Sequence, residues 1–224
     1  MFIQQDLFRD EIIPRLSLKD IIRMKMACKE LYSVIDQQIL EIFCLQKIQN
    51  RLRNIFEEKF EDFIFELGRS EALLSGSFII QSILDENWQN DDKSKEYIDI
   101  YVNVKNKSLK RVPFNPETKF ETWLFGNLFF SSCVTVSPYD EANTFIMWVR
   151  DFAFTKSKNC INHGKPIIKL IDLNLNKTTS NVARIPKDIW EFINLTFDVD
   201  ACKNAFGVKN GYPYVKINRI LNKI

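Results

Sequence analysis

The sequence predicts an α+β chain, with an all-helical subdomain over residues 1–68 and a mixed-sheet domain over 69–224. Two observations set that division. Up to Gly68 the apolar residues recur at steps of three and four, the spacing of helices that bury one stripe. Beyond it the period falls to two, the spacing of strands. A third observation joins the two parts: Ala72-Leu73-Leu74-Ser75-Gly76-Ser77 is a small-residue turn leading into a short apolar helix and then a strand that carries an acid.

Taken in order, Ser17-Leu18-Lys19-Asp20 is a capping-box helix start, its serine hydroxyl available to amides that have no partner inside the helix. Ile21, Met24, Cys28, Leu31 and Ile35 then make one amphipathic stripe. A longer stripe follows through Leu45, Ile48, Leu52, Ile55, Phe60, Phe63 and Leu67, with Gly68 as its stop. In 97–104, Ile98, Ile100, Val102 and Val104 share one strand face, while Tyr97, Asp99, Tyr101 and Asn103 share the other. Further strands are expected over 145–154, 167–174, 197–202 and 212–217, with Asn210-Gly211 as a hairpin turn. A short helix is expected over 185–195, with Pro186 in its first turn. Segments 105–118 and 155–166, rich in Lys, Asn, Ser and Pro, read as loops.

Composition narrows the function classes. A chain of 224 residues with 46% hydrophobic content and 19 phenylalanines can bury a large core, and six glycines and seven prolines leave little room for low-complexity linkers. A net charge of +2 without a long Lys/Arg cluster argues against a dedicated nucleic-acid binder. Cys28, Cys44, Cys133, Cys160 and Cys202 are odd in number and scattered, the pattern of reduced core thiols in a cytoplasmic or nuclear protein. The single histidine, His163, sits in a turn-like Asn-His-Gly, and no zinc site is expected. The first residues lack a signal-peptide pattern, and no uncharged apolar run reaches the roughly 18 residues of a membrane span, so no membrane partner is expected.

Residues 12–36 resemble the F-box motif. The matching elements are Ile12-Ile13-Pro14-Arg15-Leu16, the helix start at Leu18 with Asp20-Ile21, and Ala27-Cys28-Lys29-Glu30-Leu31-Tyr32. The family's opening Leu-Pro is not evident; Phe2-Ile3 and Leu7-Phe8 only approximate its apolar start. The resemblance implies a small helical unit that docks on the Skp-type adaptor of a cullin–RING ubiquitin ligase. Its contact residues here would be Leu16, Ile21, Met24, Cys28, Leu31 and Tyr32. Three short helices do not bury all their apolar residues alone, which suits a partner. The alternative is that these helices only pack on the body.

The remainder resembles nucleotidyltransferase-like proteins, in particular the divergent members of large DNA viruses and fungi. The matching segments are 74–84, Trp88, Ile98-Asp99-Ile100-Tyr101-Val102 and 196–204. Active members hold a triphosphate on Gly-Ser amides at a helix start and bind two Mg²⁺ on three carboxylates, two of them two residues apart on one strand. The resemblance therefore implies a phosphate turn at Gly76 and Ser77, with NTP and Mg²⁺ as cofactors if activity is retained. It also implies metal and catalytic candidates at Asp99, Asp198 and Asp200, with Asp172 as a further one. The first strand acid falls at Tyr97, whose phenol does not replace a carboxylate as a Mg²⁺ ligand. Glu96 lies on the opposite face by strand parity, and Asp91 and Asp92 belong to the preceding loop.

Together these readings give a protein-interaction adaptor, with F-box-like helices for a Skp-type adaptor and a pseudo-nucleotidyltransferase body for a client protein. The alternative is an active Mg²⁺-dependent nucleotidyltransferase acting on a protein, an RNA or a small molecule. A virion-associated structural protein is a third reading. Ser77 has no histidine base near it in sequence, which argues against a nucleophile. Trp123, Phe125, Phe129 and Phe130 read as core, and Cys202 as a buried thiol.

Overall fold

The computed structural model describes residues 11–86, 96–104, 118–135, 145–154, 165–175, 185–197 and 203–217. At Ser17 the capping box forms: Ser17 Oγ accepts from the Asp20 amide at 3.1 Å, and Asp20 Oδ2 accepts from the Ser17 amide at 3.2 Å. This opens helix α1 (Leu18–Ala27). The first stripe does not run on as one helix. Cys28 is extended and its sulfur accepts from the Leu31 amide, starting α2 (Lys29–Val34). Asp36 then caps α3 (Gln37–Phe56), accepting from the Ile39 amide at 2.9 Å. The longer stripe is also divided: Glu57 takes φ 53°, a 3-10 turn spans Glu57–Lys59, and α4 (Phe60–Arg69) follows.

Gly68 is not the stop that the sequence predicts. Helix α4 runs through Arg69, and a Cβ at position 68 would stand 2.8 Å from Val208 Cγ1. Glycine is there because helix and strand approach too closely for a side chain. Gly68→Ala is expected to destabilise the fold by roughly 1–3 kcal/mol through overpacking. The check is a lower urea midpoint with an unchanged slope.

Beyond α4 come β1 (Leu73–Ser75), α5 (Ser77–Leu84), β2 (Tyr97–Asn103), α6 (Lys119–Asn127), β3 (Phe129–Thr135), β4 (Ile146–Ala153), β5 (Ile167–Leu173), α7 (Ile189–Thr196), β6 (Ala205–Lys209) and β7 (Tyr212–Lys216). The seven strands form one sheet in the order β3-β4-β5-β2-β1-β6-β7. Strands β2 and β5 are parallel; every other neighbouring pair is antiparallel. Elements α6, β1, β3 and β6 add to those expected from sequence. Pro186 precedes α7 rather than entering its first turn, because Asp188 caps that helix by accepting from the Glu191 amide at 2.7 Å. The strand expected over 197–202 begins on Phe197, which closes α7, and its other residues lie outside the described ones. Asn210 (φ 54°) and Gly211 (φ 81°) join β6 to β7 in a two-residue turn with both residues left-handed, the hairpin the sequence predicts.

Burial follows strand parity. One sheet face carries Leu74, Ile98, Ile100, Leu170 and Phe206 and packs against α3 to α6 in one core, to which Ile13, Ile21 and Ile35 also belong. Buried residues on either side of Gly68 therefore share a single interior. Phe63 lies at its centre, stacked on Phe56 at 3.9 Å between centroids and tilted against Phe120 and Trp123. Cys44 is buried there too, and desolvation pushes its thiol up to about 12, as befits a packed, unreactive sulfur. The opposite sheet face carries Leu73, Tyr101, Ile171 and Ala205, covered by Ile189, Phe192 and Ile193 of α7. Among the described residues no helix is long and apolar enough to cross a membrane.

Candidate functional site

The turn between β1 and α5 brings a helix start against a strand acid. Gly76 is the N-cap of α5, with φ +88° and no side-chain cap. A Cβ on it would stand 3.0 Å from Asp99 Oδ2, so glycine is required both by the backbone angle and by the carboxylate beside it. Asp99 thus sits at the positive end of α5, with Ser77 half-buried at the first helical position.

Strand pairing extends this point into a row across the sheet. Ser75 of β1 pairs with Asp99 of β2, Asp99 with Lys169 of β5, Lys169 with Asp151 of β4, and Asp151 with Ser132 of β3. Ser75 Oγ donates to the Asn204 carbonyl at 2.6 Å, and Ser132 Oγ donates to Asp151 Oδ2 at 3.0 Å. The Lys169 ammonium lies 4.0 Å from the centroid of the Tyr97 ring, a close cation–π contact on the same face.

Burial pushes the Asp99 carboxyl above the ordinary carboxylate range; the Lys169 charge opposes that shift and the Asp151 charge adds to it. Asp99 Oδ1 and Asp151 Oδ1 are both buried and accept no hydrogen bond among the described residues. Asp99 therefore holds its proton more tightly in the folded chain than in the unfolded one. Stability falls as pH rises from the unfolded carboxyl's pKa through the folded one. Asp99→Asn is accordingly expected to raise the urea midpoint at pH 7. The gain should vanish below about pH 4, where both states are protonated. A lower midpoint at pH 7 would contradict this reading of the site's electrostatics.

The sequence-based candidates divide sharply. Tyr97 and Asp99 share a face, as parity predicts, and Glu96 points away, buried in an ion pair with Arg51. Asp172 is a correction. It lies on the other sheet face, fully buried, where Arg150 Nη2 donates to its two oxygens at 2.7 and 2.6 Å and to Glu121 Oε1 at 2.7 Å. Asp198, Asp200, Asp91, Asp92, Trp88, His163 and Cys202 lie outside the described residues. Sequence reasoning missed Lys169 and Asp151, because only the register across β2, β5 and β4 places them beside Asp99.

In that row a lysine stands between the two acids. Neighbouring strands lie about 4.8 Å apart, so the backbones at Asp99 and Asp151 are about 10 Å apart with a lysine between them. Among the described residues no group of three or more His, Cys, Asp or Glu side chains gathers at one point. Lys169 stands between these acids in register, and its ammonium lies over the Tyr97 ring.

At the helical end, Ile21 is a second correction: it is fully buried in the chain's own core and has no surface to offer a partner. Leu16, Met24 and Leu31 are partly buried against the same core. Cys28 and Tyr32 are exposed, and Met26, absent from the expected contacts, is more exposed than Tyr32. Compared with protein-family models, with curated proteins and with solved structures, the chain matches none.

Proposed function

We propose that this chain is a protein-interaction adaptor whose F-box-like helices bind a Skp-type adaptor of a cullin–RING ubiquitin ligase. A nucleotidyltransferase-like body without a competent metal centre recruits the client. The observation that carries the non-catalytic half is Lys169, which stands between Asp99 and Asp151 in strand register and holds its ammonium over the Tyr97 ring. A frame that keeps the Gly76-Ser77 turn but places a cationic side chain among its acids resembles an enzyme site turned into a self-neutralised surface. The helical half rests on the resemblance over 12–36 and on the exposed residues that α1 and α2 leave uncovered. A pull-down of purified Skp-type adaptor by the full chain tests it: retention is expected, and no retention contradicts the ligase reading.

The rival, a Mg²⁺-dependent nucleotidyltransferase, is favoured by one observation, the buried unpaired oxygens of Asp99 and Asp151 on the face that holds the α5 start. Incubation with labelled NTP and Mg²⁺ or Mn²⁺ separates the two. Transfer of label that disappears in Asp99→Ala would replace the adaptor reading of the body; no transfer is expected.

A further inference from the structure

The outward faces of α1 and α2 carry an uneven distribution of charge and apolar surface. Helix α1 turns Leu18 and Ile21 into the core. Lys19, Arg23 and Met26 of α1, and Lys29 and Tyr32 of α2, are exposed. Met26 and Tyr32 are 72% and 63% exposed. The Lys25 ammonium lies 5.0 Å from the centroid of the Tyr32 ring, a contact between the two helices.

Charge sets the chemistry of what would fit. Residues 18–34 hold Lys19, Arg23, Lys25 and Lys29 against Asp20 and Glu30; four minus two leaves +2, the formal net charge of the entire chain. Asp20 is engaged locally, accepting from the Ser17 hydroxyl at 2.6 Å and the Ser17 amide at 3.2 Å, with Arg23 at 3.6 Å on its rim. The cations therefore dominate the outward field.

From this we infer that the exposed face of α1 and α2 is a docking surface for an acidic protein partner. Met26 and Tyr32 enter apolar pockets, and Lys19, Arg23 and Lys29 meet carboxylates around them. The inference rests on the adaptor reading above and assigns its contact face to Met26 and Tyr32 instead of the buried Ile21. Interfaces use Tyr, Met and Arg in this way, with charge steering encounter and apolar anchors slowing release. A lipid surface fits less well. A helix lying in an anionic membrane buries an apolar face, and α1 has spent its own on the core, leaving Met26 as its one large exposed apolar residue.

Surface-plasmon binding of purified Skp-type adaptor to the full chain, from about 50 mM to about 500 mM salt, tests this directly. The charge-reversal variant Lys19→Glu/Arg23→Glu/Lys29→Glu and the apolar variant Met26→Ser/Tyr32→Ser are run beside the native chain. Each is expected to weaken binding by about tenfold or more at low salt, with the charge-reversal loss shrinking as salt rises. Unchanged circular dichroism and melting would show that both variants fold. Native binding that neither variant weakens, or that ignores salt, overturns this inference while the adaptor reading stands. No adaptor binding by the native chain, or capture by anionic vesicles in its place, overturns both.

Discussion

Arg150→Leu is expected to lower the unfolding free energy by about 3–5 kcal/mol, the effect of stranding buried charge. The Arg150 side chain is 1% exposed, and its Nη2 alone bonds Glu121 Oε1 and both oxygens of Asp172. Glu121 Oε2 also accepts from the Thr118 amide at 3.0 Å, completing the capping box of α6. One guanidinium thus ties β4, β5 and the start of α6 together. Without it the two buried carboxylates lose the cation that bonds them both. Domains are marginally stable by about 5–15 kcal/mol in all, so such a loss would be plain in urea unfolding. The triple variant Arg150→Leu/Glu121→Gln/Asp172→Leu removes the stranded charges and is expected to recover most of the loss. If the triple variant is no more stable than the single one, stranded charge is not the cause.

The second large effect is a gain. Tyr97→Asp together with Lys169→Asp would place carboxylates beside Asp99 on β2 and between Asp99 and Asp151 on β5. With no ammonium among them these acids repel, so the variant should be less stable than the native chain in the absence of metal. Mn²⁺ at about 100 times its dissociation constant then contributes about 2.7 kcal/mol through mass action. A rise in melting temperature with Mn²⁺ is expected for the variant and none for the native chain. Equal responses would mean that Lys169 and Tyr97 are not what keeps metal out.

What could be read from the sequence was local. The Ser17 capping box, the Asn210-Gly211 hairpin and the sharing of one β2 face by Tyr97 and Asp99 each depend on residues a few positions apart. The Asp99–Lys169–Asp151 row depends on β2 pairing with β5, two strands that α6, β3 and β4 separate in the chain, and strand alternation carries no register between distant strands. Gly68 shows the same limit at a single residue. A glycine ending an apolar stripe serves equally as a stop or as a place of close approach, and Val208 in β6 decides which. Asp172 looked like a site acid because its strand was right. Its parity, legible only once β5 was paired with β2, turns it to Arg150 and the core. Helix α6 had a readable Thr118-x-x-Glu121 start, but the polar stretch before it drew that threonine into a loop. Cys28 continued the first stripe in spacing, while its sulfur caps α2 and breaks the helix there.

Calorimetric titration of NTP into the native chain with Mn²⁺ present tests the non-catalytic body most directly, with the Tyr97→Asp/Lys169→Asp variant run alongside as the metal-binding comparison. The expected result is no saturable, metal-dependent heat from the native chain. Saturable binding that requires Mn²⁺ and is lost in Asp99→Ala would contradict it.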